Sequence, residues 1–470
     1  MLHAMNDLSG FEALPLSPSL RAVLQQLGYL TMTPIQAAAL PLALEGHDLI
    51  AQAKTGSGKT VAFALPLLTN LDPRRFVVQA LVLCPTRELA EQVTQEIRRL
   101  ARFEDNIKVL ALVGGSIMRP QMASLAHGAH VVVGTPGRIM DHLQRESLNL
   151  SALNTLVLDE ADRMLDMGFH DDIVYVAKRC PGARQTLLFS ATYPDRIADL
   201  ARRFLRLPRE VKLLEQHAGS KIRQRFYEIK HAERLQAVGV LLKHYRPVST
   251  LAFCNTKEQC RALSQELRNQ GFHALELHGD LEQRERDQVL VQFANRSCSV
   301  LVATDVAARG LDIAQLEAVI NVDITPDPEI HIHRIGRTGR AEADGWALSL
   351  CSPADRRRVE MIAQQQGFEP EWHGLGSLQG DDDSPLIPPM VTLLILGGRK
   401  AKIRPGDVLG ALTGSAGFKP EQVGKITVTD QLTYVAVARD IAREALRKLA
   451  AGTLKGKAVK VRALVCQEAH

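Results

Sequence analysis

Ala53, Lys54, Thr55, Gly56, Ser57, Gly58, Lys59 and Thr60 form a glycine-containing loop, and Asp159, Glu160, Ala161 and Asp162 follow far downstream. A loop of this kind turns its backbone N–H groups toward phosphates. Its lysine reaches the β/γ oxygens and its hydroxyl meets Mg²⁺. Asp159, paired with Thr60, is the candidate metal ligand, and Glu160 is the candidate partner of the attacking water. The implied chemistry is hydrolysis of a nucleoside triphosphate, with Lys59, Asp159 and Glu160 in catalytic roles. Ala53 stands where such loops carry their first glycine, so the loop needs the acidic tetrad beside it to be specific.

Those groups need a scaffold that delivers loops to one edge. Residues 81–84, 131–133, 156–158, 187–189, 251–253 and 300–303 are apolar runs rich in Val, Leu and Ile, separated by helical stretches. This alternation predicts an α/β fold of parallel sheets with helices on both faces. The run 156–158 then carries Asp159 to the C-terminal end of its strand. The pattern breaks at residues 215–220, a polar stretch suited to a hinge. It breaks again at 372–389, where Gly, Pro and three consecutive aspartates suit a linker. The expected organisation is 1–215, 221–367, a linker over 368–390, and 391–470.

At 470 residues the chain exceeds a single core. It holds no apolar run of the ~18 residues needed to span a membrane, and its N-terminus lacks the layout of a secretion signal. The seven cysteines show no C-x-x-C spacing and read as reduced thiols of a cytoplasmic protein. The net charge is +5, unevenly spread. Residues 391–470 hold 14 Lys and Arg against 6 Asp and Glu, a net of +8, leaving −3 on the rest. A basic terminal module suggests a polyanionic partner, although a solubilising face would give the same count.

Upstream of the loop, Tyr29, Thr33 and Gln36 follow Phe11 at short range. A glutamine amide donates and accepts at once, matching the N6/N7 edge of adenine, and Phe11 could stack on the ring. This arrangement resembles the Q motif of the DEAD-box RNA helicases. The rest of that family's set appears in order: Pro85, Thr86, Arg87; Gly114, Gly115; Thr135, Pro136, Gly137, Arg138; Asp159 to Asp162; and Ser190, Ala191, Thr192. Residues 253–256, 303–312 and 333–340 continue it. The resemblance runs from Phe11 to about residue 347 and implies two RecA-like domains in tandem, with ATP and Mg²⁺ as cofactors. Threonines that start helices, a glycine and an arginine suit a grip on a phosphodiester backbone. By resemblance Pro85, Thr86, Arg87, Gly115, Thr135 to Arg138, Thr304 and Gly310 contact RNA. Asp312 meets the ribose, and Asp162, Ser190, Thr192 and His333 couple hydrolysis to RNA. Arg337 and Arg340, three apart, project the same way and are the family's arginine fingers.

The last eighty residues read as a small α/β sandwich of the RNA-recognition type, with strands over 391–398, 433–438 and 458–462 and a helix over 441–451. Its RNP1 region offers one aromatic, Tyr434, so Lys400, Lys402 and Arg404 are the candidate RNA contacts. The stretch 402–414 resembles the tail of the bacterial DbpA subfamily, which implies ribosomal RNA of the large subunit as partner. Two other readings share features with this one. An ATP-gated RNA clamp would carry the same motifs, and RNA-dependent turnover separates it from a helicase. A DNA helicase of the same superfamily is disfavoured by the adenine-reading segment and the Asp-Glu-Ala-Asp spelling.

Overall fold

The structure is a computed structural model that describes residues 10–53, 56–193, 195–213, 222–308, 316–339, 345–378 and 386–464. The chain divides into two compact units, Met1–Gln216 and His217–His470.

In the first unit the short apolar runs become a parallel sheet, buried on both faces by helices. Its strands are β1 (Leu49–Gln52), β2 (Ala80–Leu83), β3 (Val109–Leu112), β4 (Val131–Gly134), β5 (Thr155–Leu158), β6 (Gln185–Ser190) and β7 (Arg209–Lys212). Their order is β3-β4-β2-β5-β6-β1-β7. Alternation in β2 and β5 splits the apolar side chains between two cores. Val82 and Val157 face one, and Leu81, Leu83, Leu156 and Leu158 the other. The order puts the ends of β1, β6 and β5 side by side, with those of β2, β4 and β3 next to them. All the loop motifs of this unit therefore open on one sheet edge, as expected where strand order reverses.

The second unit repeats the plan: β8 (Ile222–Glu228), β9 (Thr250–Cys254), β10 (Ala274–Leu277), β11 (Val300–Thr304), β12 (Ala318–Asn321), β13 (Gly345–Cys351) and β14 (Trp372–Gly374) lie in the order β10-β11-β9-β12-β13-β8-β14. Strand β14 falls where the sequence suggested linker. It pairs with β8, and Trp372 rests 5.9 Å from the Phe226 ring. Three residues are too few to show a period, and so the sequence hid it. Residues 379–385, in the middle of that stretch, lie outside the described residues.

A third, antiparallel sheet completes this unit: β15 (Met390–Ile395), β16 (Val423–Val428), β17 (Thr433–Ala438) and β20 (Val461–Leu464), ordered β16-β17-β15-β20. A hairpin of β18 (Thr453–Leu454) and β19 (Lys457–Ala458) turns at Lys455 and Gly456, both at positive φ. That hairpin takes the residues expected to start the last strand, which begins at Val461 instead. One face of the sheet packs Leu393, Ile395, Val435 and Val437 against Ala445 and Leu449 of the helix Ala442–Ala451. The other face is buried too. Thr392, Leu394, Tyr434 and Ala436 are at most 2% exposed. Asn295 Nδ2 donates to Thr392 Oγ1 (3.1 Å), Ser297 Oγ lies 2.7 Å from the same hydroxyl, and Gln288 is hydrogen-bonded to Tyr434. The surface that an RNA-recognition fold turns toward bases is thus covered here by the helix Gln283–Ala294 and the turn after it.

Candidate nucleotide and nucleic-acid sites

After β1, the loop climbs to the helix Lys59–Thr69 through Gly58 at φ 93°. Lys59 is buried, and its Nζ donates to Ala53 O at 3.0 Å, so the ammonium is held inside the loop. Gln36 is 2% exposed and joins this loop to the upstream segment. Its Oε1 accepts from Thr33 N (2.9 Å) and its Nε2 donates to Gly58 O (3.0 Å). A Cβ on Gly58 would stand 2.5 Å from Gln36 Nε2, which is why glycine is needed at the crossing.

Two other residues expected near the base make contacts within the protein. Phe11 is 5% exposed and belongs to the first core cluster, so its ring is engaged in packing. Tyr29 sends its hydroxyl to Glu96 Oε1 at 2.6 Å, on the helix Arg87–Leu100. Burial, reinforced by that carboxylate, pushes its pKa up to about 12. Glu96 carries no sequence signal of this role, because a surface-type glutamate in a helix reads as solvated.

β5 delivers Asp159 and Glu160, each 3% exposed. Glu160 sits in the left-handed region at φ 51°, ψ 53°, and caps the short helix Ala161–Asp166. A non-glycine residue there stores strain of about 1–3 kcal/mol, a cost that concentrates at working sites. Burial drives the Asp159 pKa upward; Lys59 opposes this and the Glu160 charge adds to it. Among the described residues Asp159 Oδ1 accepts no hydrogen bond, although it is buried. An orphaned carboxylate oxygen within reach of the Lys59 charge fits an oxygen-seeking cation such as Mg²⁺. Glu160 Oε2 accepts from Arg163 Nη1 at 2.8 Å, and both side chains are 4% exposed.

Asp162 turns to the end of β6. Its Oδ2 accepts from Ala191 N (3.1 Å), Thr192 N (3.0 Å) and Thr192 Oγ1 (3.2 Å), while Ser190 Oγ accepts from Asp162 N at 3.3 Å. The acidic tetrad and the Ser190–Thr192 loop therefore form one hydrogen-bonded body.

The neighbouring half of the same edge collects Pro85, Thr86, Arg87, Gly115 and Thr135 to Arg138. Thr86 caps the helix Arg87–Leu100, its Oγ1 accepting from Leu89 N at 3.3 Å. Gly115 has φ 70°, and a Cβ there would fall 1.7 Å from Arg87 Nη1. The arginine crosses the chain only because glycine leaves room. Arg138 donates to Ser116 O (3.2 Å) and Gln121 Oε1 (3.3 Å). Thr135 precedes the helix Pro136–Gln144, but its hydroxyl makes no capping bond among the described residues.

In the second unit, Thr304 ends β11, and His333 lies in the helix Pro328–Ile335, with Arg337 just beyond it and 4% exposed. Arg334, which the sequence reading left out, anchors that helix. Its Nε and Nη2 each meet a different Asp305 oxygen at 2.7 Å, Nη1 reaches Asp323 O (2.6 Å), and Nη2 reaches Asn255 Oδ1 (3.0 Å). One guanidinium thereby ties together the ends of β9, β11 and β12. Lys400, Lys402 and Arg404 are exposed on the third sheet's side of this unit. Lys54, Thr55, Gly310, Asp312 and Arg340 lie outside the described residues. The six cysteines among the described residues are buried free thiols, and no helix among those residues is long and apolar enough to cross a membrane.

Comparison with known proteins gives matches in all three regions. Residues 33–200 match the DEAD/DEAH box helicase family, 233–342 the helicase conserved C-terminal domain, and 392–463 the DbpA RNA-binding domain. The chain is 51% identical to the ATP-dependent RNA helicase DbpA of Escherichia coli K12 over 466 residues, covering 98% of this chain and 100% of that one. It is 44% identical over 340 residues to the ATP-dependent RNA helicase CshA of Listeria monocytogenes, covering 72% of this chain and 65% of the relative. Among solved structures it resembles S. cerevisiae Dbp5 bound to RNA and ADP BeF3. There the TM-score is 0.72 at 32% identity, over 78% of this chain and 96% of the other.

Proposed function

Because this chain belongs to the DEAD-box ATP-dependent RNA helicases that carry a DbpA RNA-binding domain, we propose that it locally remodels structured RNA, namely ribosomal RNA of the large subunit during its assembly in the cytoplasm. The chain is an RNA-stimulated ATPase of that family. The observation that carries the target is the third domain. A net charge of +8 is concentrated in a module that matches the DbpA RNA-binding family. With its broad sheet face buried, this module offers RNA its loops and basic side chains, Lys400, Lys402 and Arg404 among them.

At the nucleotide, the backbone of 53–60 cradles the phosphates, Lys59 meets the β/γ oxygens and Glu160 directs the water. Thr60 and Asp159 would hold Mg²⁺, which when bound neutralises charge on the phosphate oxygens. Arg337 and Arg340 supply the cations that stabilise the transferring phosphoryl group. Pro85 to Arg87, Gly115, Thr135 to Arg138, Thr304 and Gly310 grip the RNA backbone without reading bases, and Asp312 meets the ribose. Asp162, Ser190, Thr192 and His333 tie these two tasks together. ATP and RNA are bound jointly when the two helicase lobes close. A relative solved with RNA and ADP BeF3 supports this reading.

The ATPase rate with large-subunit ribosomal RNA, an unrelated transcript and DNA as separate activators tests the target. Ribosomal RNA is expected to activate at the lowest concentration, the transcript weakly, and DNA hardly at all. Raising salt should weaken the preferred RNA most, since its phosphate contacts are the most numerous. Equal activation by ribosomal RNA and the unrelated transcript would remove the proposed target.

Base selection gives a second expected result. Gln36 should impose a preference for ATP over GTP, because guanine presents O6 where adenine presents a donor. Gln36→Ala should lose roughly tenfold or more of that preference in kcat/KM, since a bidentate contact to a base is worth about 1–3 kcal/mol. Equal kcat/KM for both nucleotides in the unaltered protein would sink the assignment.

A further inference from the structure

Asp159, Glu160 and Asp162, at the start of the helix Ala161–Asp166, hold three carboxylates in three fixed directions. Asp159 lies toward Lys59, Asp162 is bonded to the Ser190–Thr192 loop, and Glu160 is bonded to Arg163. Arg163 is the only cation in this tetrad's own helix turn, and it is 4% exposed. Its backbone N donates to Asp162 Oδ1 at 3.0 Å, so one residue touches both the Glu160 and the Asp162 carboxylates. Replacing a buried ion pair by apolar groups is often neutral or stabilising. Stability alone therefore does not account for a guanidinium enclosed at this place. Glu160 also departs from ordinary backbone geometry, at φ 51°, and its side chain leaves the chain in an unusual direction. A donor three residues on, in the first helical turn, is within reach to fix that direction.

We propose that Arg163 is a positioning residue for hydrolysis, holding the Glu160 carboxylate through its 2.8 Å bond to Oε2 in the orientation from which Glu160 directs water at the γ-phosphate. This rests on the reading of Glu160 as the group that meets the water. Arg163 acts on hydrolysis through the Glu160 carboxylate and takes no direct part in holding ATP or RNA. Misplacing a reacting group by about 1 Å costs on the order of 10²-fold in rate. Arg163→Gln, which cannot make the charged bond, should lower kcat by about that factor with KM for ATP and the activating RNA concentration unchanged. Arg163→Lys, a shorter charged donor, should recover part of the loss.

The decisive measurement is single-turnover hydrolysis in full-length protein for Arg163→Gln, Glu160→Gln and the pair together. Glu160→Gln alone tests the underlying reading, since unimpaired turnover there removes the base itself. If Glu160→Gln is impaired and Arg163 works only through it, adding Arg163→Gln should change the rate less than about twofold. A double variant slowed by the product of the two single effects overturns the proposal while leaving Glu160 in its role. So does a single Arg163→Gln variant that keeps full kcat, or one that loses ATP affinity instead. Thermal unfolding is recorded for each protein. An Arg163→Gln variant that melts well below the others, and whose rate Arg163→Lys does not restore, assigns Arg163 to stability and overturns the proposal as well.

Discussion

Arg337→Ala is expected to lower RNA-stimulated ATP hydrolysis by about 10³-fold or more, the worth of an arginine finger on a transferring phosphoryl group. ATP should still bind, because Lys59, Gln36 and Asp159 belong to the first unit, which packs around its own core. The expected size reflects how firmly Arg337 is carried. It follows a helix fastened by Arg334 to three strand ends, so the guanidinium stands on a rigid base within its own unit. Arg340→Ala should behave alike. The check is steady-state ATPase at saturating RNA, with nucleotide binding measured alongside. Residues 1–215 alone should hydrolyse ATP at no more than a background rate, and robust turnover by that piece would contradict a catalytic group supplied from the second unit.

Glu160→Gln should cut turnover by roughly 10²–10⁴-fold, the range for losing a positioned base, while ATP and RNA still bind. Glutamine keeps the shape and can accept from Arg163, so the strained backbone at Glu160 and the neighbouring Asp159 site should survive. Turnover falling together with ATP affinity would instead place Glu160 among the binding groups.

Much of this was legible in the residues. The parallel sheets follow from short apolar runs alternating with helices. The loop motifs fall at strand ends because each run stops where its polar motif begins. The adjacency of β1, β6 and β5 turns widely separated motifs into one site. What escaped the sequence depends on contacts between distant segments. β3 and β10 are half-exposed four-residue strands with weak patterning, and β14 is shorter still. The bond of Tyr29 to Glu96 and the packing of Phe11 in the core join segments far apart in the chain. The buried second face of the third sheet shows as apolar alternation with a lone Tyr434. Nothing local says that Asn295, Ser297 and Gln288 cover it. Arg163 and Arg334 read as ordinary helix arginines until their acceptors are placed beside them.

The joint binding of ATP and RNA is tested most directly by their thermodynamic coupling in the Glu160→Gln protein, where turnover does not consume the complex. RNA affinity is measured with and without ATP, and ATP affinity with and without RNA. A closed state shared by both ligands requires each to tighten the other by the same factor, on the order of 5–150-fold. Two affinities that do not change with the other ligand present would contradict it.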